Sequence, residues 1–213
     1  MLSKKITIID YGCANILNLA RAIKFIGYEV DITHDKNKII NSSYVILPGV
    51  GAFGNAMKQI EKYNLHNTIL EYAKSNKPLL GICLGMQILL TVSYEFGVHK
   101  GLGLIEGKVI KISNEKNKEI KIPHMGWNEI YPNNNKKEWK NKILKNSSIG
   151  KSFYFVHSFV CITKNYDSTV AVCNYSDISI PAVVATGNVF GCQFHPEKSA
   201  DNGLAVLKNF CEI

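Results

Sequence analysis

Apolar positions along the first ninety residues alternate between two periods. KITIID (5–10) is a short β-branched run that ends at a turn. In NILNLARAIKFIG, positions 16, 19, 20, 23 and 25 or 26 recur at helical spacing, and Gly27 supplies a C-terminal stop. YEVDIT (28–33) alternates as a strand does, and YVILPG (44–49) reads as a buried strand ending in a Pro-Gly turn. A helical pattern runs from about Asn55 to Ala73, with a break near Asn64. KPLLGICLGMQILL (77–90) then reads as strand, sharp turn and helix. Strands alternating with helices predict right-handed crossovers and a mostly parallel sheet.

After residue 100 the pattern changes. GKVIKIS, EIKIPHMGW, KSFYFVHSFVCI, STVAVCN, PAVVATG and VFGCQFH are short strand-like runs with turns between them, which favours antiparallel pairing. ADNGLAVLKNFCEI closes the chain as a helix, with Leu204, Leu207 and Phe210 or Cys211 facing inward. No internal repeat or low-complexity linker interrupts the 213 residues. The expected fold is therefore α/β: one domain over residues 1–213, an open, mostly parallel sheet flanked by helices, with an added β-rich portion.

Composition changes this picture little. Hydrophobic residues make up 46% and charged residues 20%, an ordinary globular balance. MLSKKITIIDYG lacks the apolar core and cleavage site of a signal peptide. No run approaches the roughly 18 apolar residues of a membrane span. A cytoplasmic location is the resulting expectation. The net charge of +8 raises the question of nucleic acid, but the lysines are scattered. Their densest stretch, NNNKKEWKNKILKN, is interleaved with Asn and reads as a solvated surface excursion, so no nucleic-acid or membrane partner is expected. The six cysteines form no C-x-x-C pair, and no metal site is expected.

The chemistry concentrates at three places. Gly81-Ile82-Cys83-Leu84-Gly85 sits between an apolar strand and an amphipathic helix, in the G-x-nucleophile-x-G pattern of an elbow. Such a turn lifts the sulfur to the carboxyl end of the sheet, where ligands bind in open α/β folds. The N–H groups of the following helix favour a thiolate there. Gln193-Phe194-His195-Pro196-Glu197 follows another strand. His195 and Glu197 lie two residues apart in extended chain, so their side chains share one side. Glu197 can then orient the imidazole while the other ring nitrogen faces Cys83. Pro48-Gly49-Val50-Gly51 is a loop whose N–H groups, with that of Leu84, suit an oxyanion hole. Gly49 to Gly54 also matches G-x-G-x-x-G, which keeps a nucleotide-binding module among the alternatives. Against it, the turn follows the third strand, and the next strand ends in Cys83 where an acidic residue would hold a ribose.

LPGVGAF, PLLGICLGMQILL and GCQFHPEKS together resemble class I glutamine amidotransferases. Within that class, DYG, PGVGAF, GLGLIEG, IPHMGWN, FYFVHSF and FHPEKS resemble the glutaminase subunits of imidazole glycerol phosphate synthases, over nearly the whole chain. The resemblance implies a flavodoxin-like fold that hydrolyses L-glutamine to glutamate and ammonia. Cys83 would be the nucleophile, His195 the base and acid, and Glu197 its orienting partner. Val50, Gly51 and Leu84 would form the oxyanion hole, and Gln87, Glu95 and Ser158 would contact glutamine. Asn15, Met125, Trp127, Tyr154 and Lys198 would face the partner of a heterodimer, a (β/α)₈ barrel cyclase. That cyclase uses the ammonia to form imidazole glycerol phosphate and AICAR in histidine biosynthesis. No metal or organic cofactor is implied for the glutaminase step. The resemblance also implies an isolated subunit that is nearly silent, with an oxyanion loop turned away until the partner shifts it. This sequence departs from the pattern at Ala14, Tyr94 and Phe159, in an insert at 114–118 and in the Lys-rich stretch after Asn133. These departures keep a paralogue feeding a sugar amidotransferase of surface-polysaccharide synthesis as an alternative.

Overall fold

Each apolar strand of the first half sends alternate residues to opposite sides, and two cores result. Ile6, Ile8, Tyr44, Ile46, Leu80 and Ile82 pack into one cluster. Ile9, Val45, Leu47 and Leu79 pack into the other. In this computed structural model residues 5–113, 120–133, 138–139, 141–145 and 147–213 are described. The insert at 114–118 and residues 134–137, 140 and 146 of the Lys-rich stretch therefore lie outside the described residues.

In chain order, β1 (Lys5–Ile9), α1 (Ile16–Phe25), β2 (Glu29–Thr33), α2 (Lys36–Asn41) and β3 (Tyr44–Gly49) open the fold. They are followed by α3 (Phe53–Lys62), α4 (His66–Lys74), β4 (Leu79–Cys83) and α5 (Leu84–Ile88). The short strands β5 (Leu90–Ser93), β6 (His99–Lys100) and β7 (Ile105–Lys111) come next, then the hairpin partners β8 (His124–Pro132) and β9 (Ser152–His157). β10 (Phe159–Thr163), β11 (Thr169–Tyr175), β12 (Ile178–Thr186), β13 (Val189–Cys192) and α6 (Ala200–Cys211) complete the chain. Among the described residues the main sheet has nine strands in the order β2-β1-β3-β4-β13-β12-β11-β8-β9. β2, β1, β3, β4 and β13 run parallel to their neighbours. From β12 outward the pairing is antiparallel, as the second half of the sequence predicts. A smaller sheet, β10-β7-β5-β6, packs beside it.

The helical pattern of 55–73 divides into α3 and α4 at Asn64, whose φ of +53° no helix tolerates. Three expectations about the elements need correction. The run KSFYFVHSFVCI is two strands, β9 and β10, which part at Ser158 into different sheets. The helix after Cys83 is only Leu84–Ile88, not a continuous run to Leu90. Backbone N–H groups of residues 102–105 reach the Ile88, Leu89 and Leu90 carbonyls, and these bonds draw the chain into β5. The strand expected across EIKIPHMGW begins only at His124, because Pro123 has no N–H to give a ladder. All six cysteines are buried and none is in a disulfide. Among the described residues, no helix is long and apolar enough to cross a membrane.

Candidate active site

Cys83 is the last residue of β4 and the first cap of α5, held at φ 55° and ψ −110°. A non-glycine residue in that region is strained, and such strain concentrates where the surroundings over-determine a turn. The turn is tight because α5 doubles back on β3: a Cβ on Gly85 would lie 1.8 Å from the Leu47 carbonyl oxygen. The thiol is buried, 7% exposed. The Val156 carbonyl lies 3.9 Å from its sulfur, and the Gln193 amide donates to it at 3.8 Å.

His195 follows β13, the parallel neighbour of β4, and caps a 3-10 turn over Pro196–Lys198, so Glu197 meets it from that turn and not from the extended chain expected. Its Nδ1 lies 2.8 Å from Glu197 Oε1, and both side chains are 5% exposed. Nε2 has no partner of ordinary hydrogen-bond geometry, and His195 and Cys83 line the same cavity. Burial alone would lower the His195 pKa. The adjoining Cys83 sulfur and Glu197 carboxylate outweigh it and hold the value at about 10. The imidazolium is thus the favoured form at neutral pH, flanked by two anion-forming groups. Lys198, one residue beyond Glu197, ends the same short turn.

The cavity measures about 800 Å³. Cys83, His195, Val50, Gly51, Leu84, Gln87, Glu95 and Ser158 all line it, so catalytic, oxyanion and substrate candidates from distant segments meet there. Gln87 donates from Nε2 to the Phe159 carbonyl and to Gln193 Oε1, each at 3.1 Å. Glu95, buried, accepts the Phe53 N–H at the start of α3 at 2.5 Å. The Ser158 carbonyl accepts the Ile112 N–H at 2.9 Å, tying the rim to the smaller sheet. The Val50 N–H is spent on the Cys13 carbonyl at 2.7 Å.

The residues expected at a partner surface form an exposed group on the β8–β9 side. Met125 and Trp127 are 59% and 53% exposed. The Trp127 and Tyr154 rings meet edge to face at 6.2 Å, and Lys198 Nζ sits 5.8 Å over the Tyr154 ring. Asn15, exposed, joins His195, Glu197 and Val50 around a water-sized gap of about 10 Å³.

The structure adds residues that the sequence reading missed. Gln193, just past the end of β13, bridges Gln87 and Cys83. Ser199, fully buried, accepts the Tyr154 N–H at 2.9 Å and donates to the His195 carbonyl at 2.7 Å. His124 and His157 pair at 2.9 Å beneath the hairpin. Neither of these last two links has a local signal in the sequence.

Residues 7–213 match the family described as glutamine amidotransferase class-I. The chain is 41% identical over 210 residues to "Imidazole glycerol phosphate synthase subunit HisH 1" of Legionella pneumophila (strain Lens), covering 98% of this chain and 99% of that one. It is 43% identical over 208 residues to the corresponding HisH subunit of Caldanaerobacter subterraneus, with 98% of each covered. Among solved structures it superposes on PurLQS from Thermotoga maritima with a TM-score of 0.72 at 20% identity, over 99% of both chains. A glutamine amidotransferase from Thermotoga maritima gives 0.63 at 18%, over 100% of this chain and 82% of that one. At such identities these two speak for the fold alone, while the full-length match and the identities above 40% show descent: this chain belongs to the class-I glutamine amidotransferase family.

Proposed function

We propose that this protein is the glutaminase subunit of an imidazole glycerol phosphate synthase, acting as one domain over residues 1–213. The observation that carries the chemistry is the convergence of Cys83 and the Glu197-held His195 on one cavity. The names of the full-length relatives carry the pathway.

In this reading the Cys83 sulfur attacks the γ-carboxamide carbon of glutamine as a thiolate, its proton already held on the His195 imidazolium. Glu197 holds Nδ1 and stabilises the imidazolium. The C–N bond breaks as His195 returns the proton to the leaving nitrogen, which departs as ammonia. Water, deprotonated by His195, then opens the γ-glutamyl thioester to glutamate and regenerates the thiol. The developing oxyanion is met by the Leu84 N–H and by the Val50 N–H beside Gly51. For the second donor to serve, its bond to the Cys13 carbonyl must be exchanged for the oxyanion. Gln87 and Glu95 shape the glutamine end of the cavity beside Ser158. Asn15, Met125, Trp127, Tyr154 and Lys198 meet a (β/α)₈ barrel cyclase, which receives the ammonia. That partner triggers the exchange at Val50.

The test is glutamine hydrolysis by this chain mixed with the cyclase subunit of the same genome and its nucleotide substrate, beside Cys83→Ala. The expected result is activity confined to the mixture and cut at least about a thousandfold by the substitution. A silent mixture, with activation instead by a sugar-amidating enzyme, would move the subunit to the other pathway. Activity that survives Cys83→Ala would remove the thiol mechanism.

A further inference from the structure

The loop after β1 grips the end of β3 at two points, one on each side of Gly49. Tyr11 is completely buried among Leu47, Phe53 and Leu84. Its hydroxyl donates to the Pro48 carbonyl at 2.7 Å. Two residues on, the Cys13 carbonyl accepts the Val50 N–H, also at 2.7 Å. Burial keeps the Tyr11 phenol protonated, so it stays a donor. The hydroxyl is in contact range of the loop itself: a Cβ on Gly49 would lie 2.5 Å from it.

These two bonds differ in what happens when Val50 turns. The Val50 N–H belongs to the Gly49–Val50 peptide, and rotating that peptide breaks its bond to Cys13. The Pro48 carbonyl belongs to the preceding peptide, which rotation about Gly49 leaves in place. A hydroxyl anchored there survives the movement and sets the point about which it occurs. We propose that Tyr11 is a positioning residue for the oxyanion hole: its hydroxyl pins Pro48, so that only the Gly49–Val50 peptide turns when the donor is delivered to the reacting carbonyl. Without the pin, the loop end gains further arrangements that do not aim the Val50 N–H at the oxyanion. The cost appears in the chemical step and not in glutamine capture. This inference rests on the proposed function.

A second tyrosine supplies the control. Tyr72 in α4 donates to the Pro78 carbonyl at 3.1 Å, the same chemical pair placed at the amino end of β4, away from the oxyanion loop. Tyr11→Phe and Tyr72→Phe are each to be assayed in the complete complex with the barrel subunit. The readouts are kcat and KM for glutamine, the thermal midpoint, and product synthesis driven by added ammonium, which bypasses glutamine hydrolysis. The expected result is that both variants melt a few degrees lower while only Tyr11→Phe loses kcat. That loss should be about fivefold to tenfold, the worth of one hydrogen bond. KM should stay within twofold and the ammonium-driven rate should not change. An unchanged kcat in Tyr11→Phe, or an equal loss in Tyr72→Phe, overturns the inference and leaves the proposed function standing. A wild-type complex that does not hydrolyse glutamine overturns both.

Discussion

His124 and His157 face each other across β8 and β9, at 0% and 6% exposure. His124 Nδ1 lies 2.9 Å from His157 Nε2, His157 Nδ1 lies 2.9 Å from the Phe159 carbonyl oxygen, and His124 Nε2 lies 2.8 Å from Asn128 Oδ1, an atom exchanged for the amide nitrogen when that side chain is turned over. A carbonyl accepts only, so His157 must carry its proton on Nδ1 and accept at Nε2 from His124. His124 Nε2 is then an acceptor, which is met if Asn128 presents its amide nitrogen. Both rings are neutral in this arrangement. Burial, helped by the nearby His124 and His195, pushes the His157 pKa down to about 3, and burial also lowers that of His124. The consequence for stability follows from linkage. Below about pH 6.5 the unfolded chain binds a proton at His157 that the folded chain refuses, so stability falls as pH falls toward 3. At pH 5 the loss from His157 alone is about 2 kcal/mol, or a melting midpoint lower by about 4–8 °C for a chain of this size. His124 adds loss in the same direction. His195 acts in the opposite sense and above this window: its pKa is raised to about 10, so its contribution is complete below 6.5 and declines from there as pH rises toward 10. Thermal or urea unfolding at pH 6.5, 6 and 5 should therefore show a steep decline for the wild type. His157→Gln should be less stable at pH 7.5 but flatter from 6.5 to 5. Parallel curves for the two proteins would refute the neutral pair.

Three further outcomes are expected. Gly85→Ala forces a methyl to 1.8 Å from the Leu47 carbonyl oxygen, so it should cost on the order of 3 kcal/mol in urea unfolding and abolish glutamine hydrolysis. Gln193→Ala removes the donor to Cys83 and the acceptor of Gln87. Iodoacetamide should then alkylate Cys83 at an altered rate, and kcat/KM for glutamine should drop by about tenfold, whereas unchanged values in both assays would make Gln193 mere packing. On the proposed partner reading, Trp127→Ala and Lys198→Ala should each weaken the barrel complex by about tenfold to a hundredfold in titration calorimetry, with the fold of the free subunit intact.

What the sequence disclosed follows the range of the interactions involved. The period-two and period-3.6 runs find β1, α1, β2, β3 and β4, and the break at Asn64, because burial on one face acts residue by residue. The Cys83 elbow and the His195–Glu197 pair are equally local, since each is fixed by neighbours two residues away. α2 escapes notice because it buries only Ile39 and is started by the Asp35 side chain accepting the Lys38 N–H. β5 escapes because its apolar residues fit the helix before it, and only the carbonyls taken by residues 102–105 decide the matter. The Tyr11 bond to Pro48 spans 37 residues, and the Gln87–Gln193 bond spans 106. No local pattern marks either partner for the other. Val50 is the sharpest case: its place beside the nucleophile is legible from Pro-Gly after a buried strand, but the direction of its N–H depends on a carbonyl in another loop.

The same distinction bears on how a surface can speak to the nucleophile. Lys198 and Tyr154 stand on the exposed side, and neither touches the sulfur. Yet the Tyr154 carbonyl accepts the His195 N–H at 2.9 Å, and Ser199 joins the Tyr154 N–H to the His195 carbonyl. The backbone of His195 is thus clamped on both sides by the strand that displays Tyr154. Two residues further along β9, the Val156 carbonyl lies 3.9 Å from Cys83. On the proposed reading, a push on Tyr154 reaches the base through these bonds and the sulfur through the Val156 carbonyl. The oxyanion donor is held from the other side of the site, by the loop that leads to Asn15. On the proposed reading, a partner that touches both Tyr154 and Asn15 moves these two bodies relative to each other. The quantity it changes is the position of the Val50 N–H against a preassembled Cys83–His195–Glu197 set, which is why activation should raise kcat far more than it alters the pKa of His195.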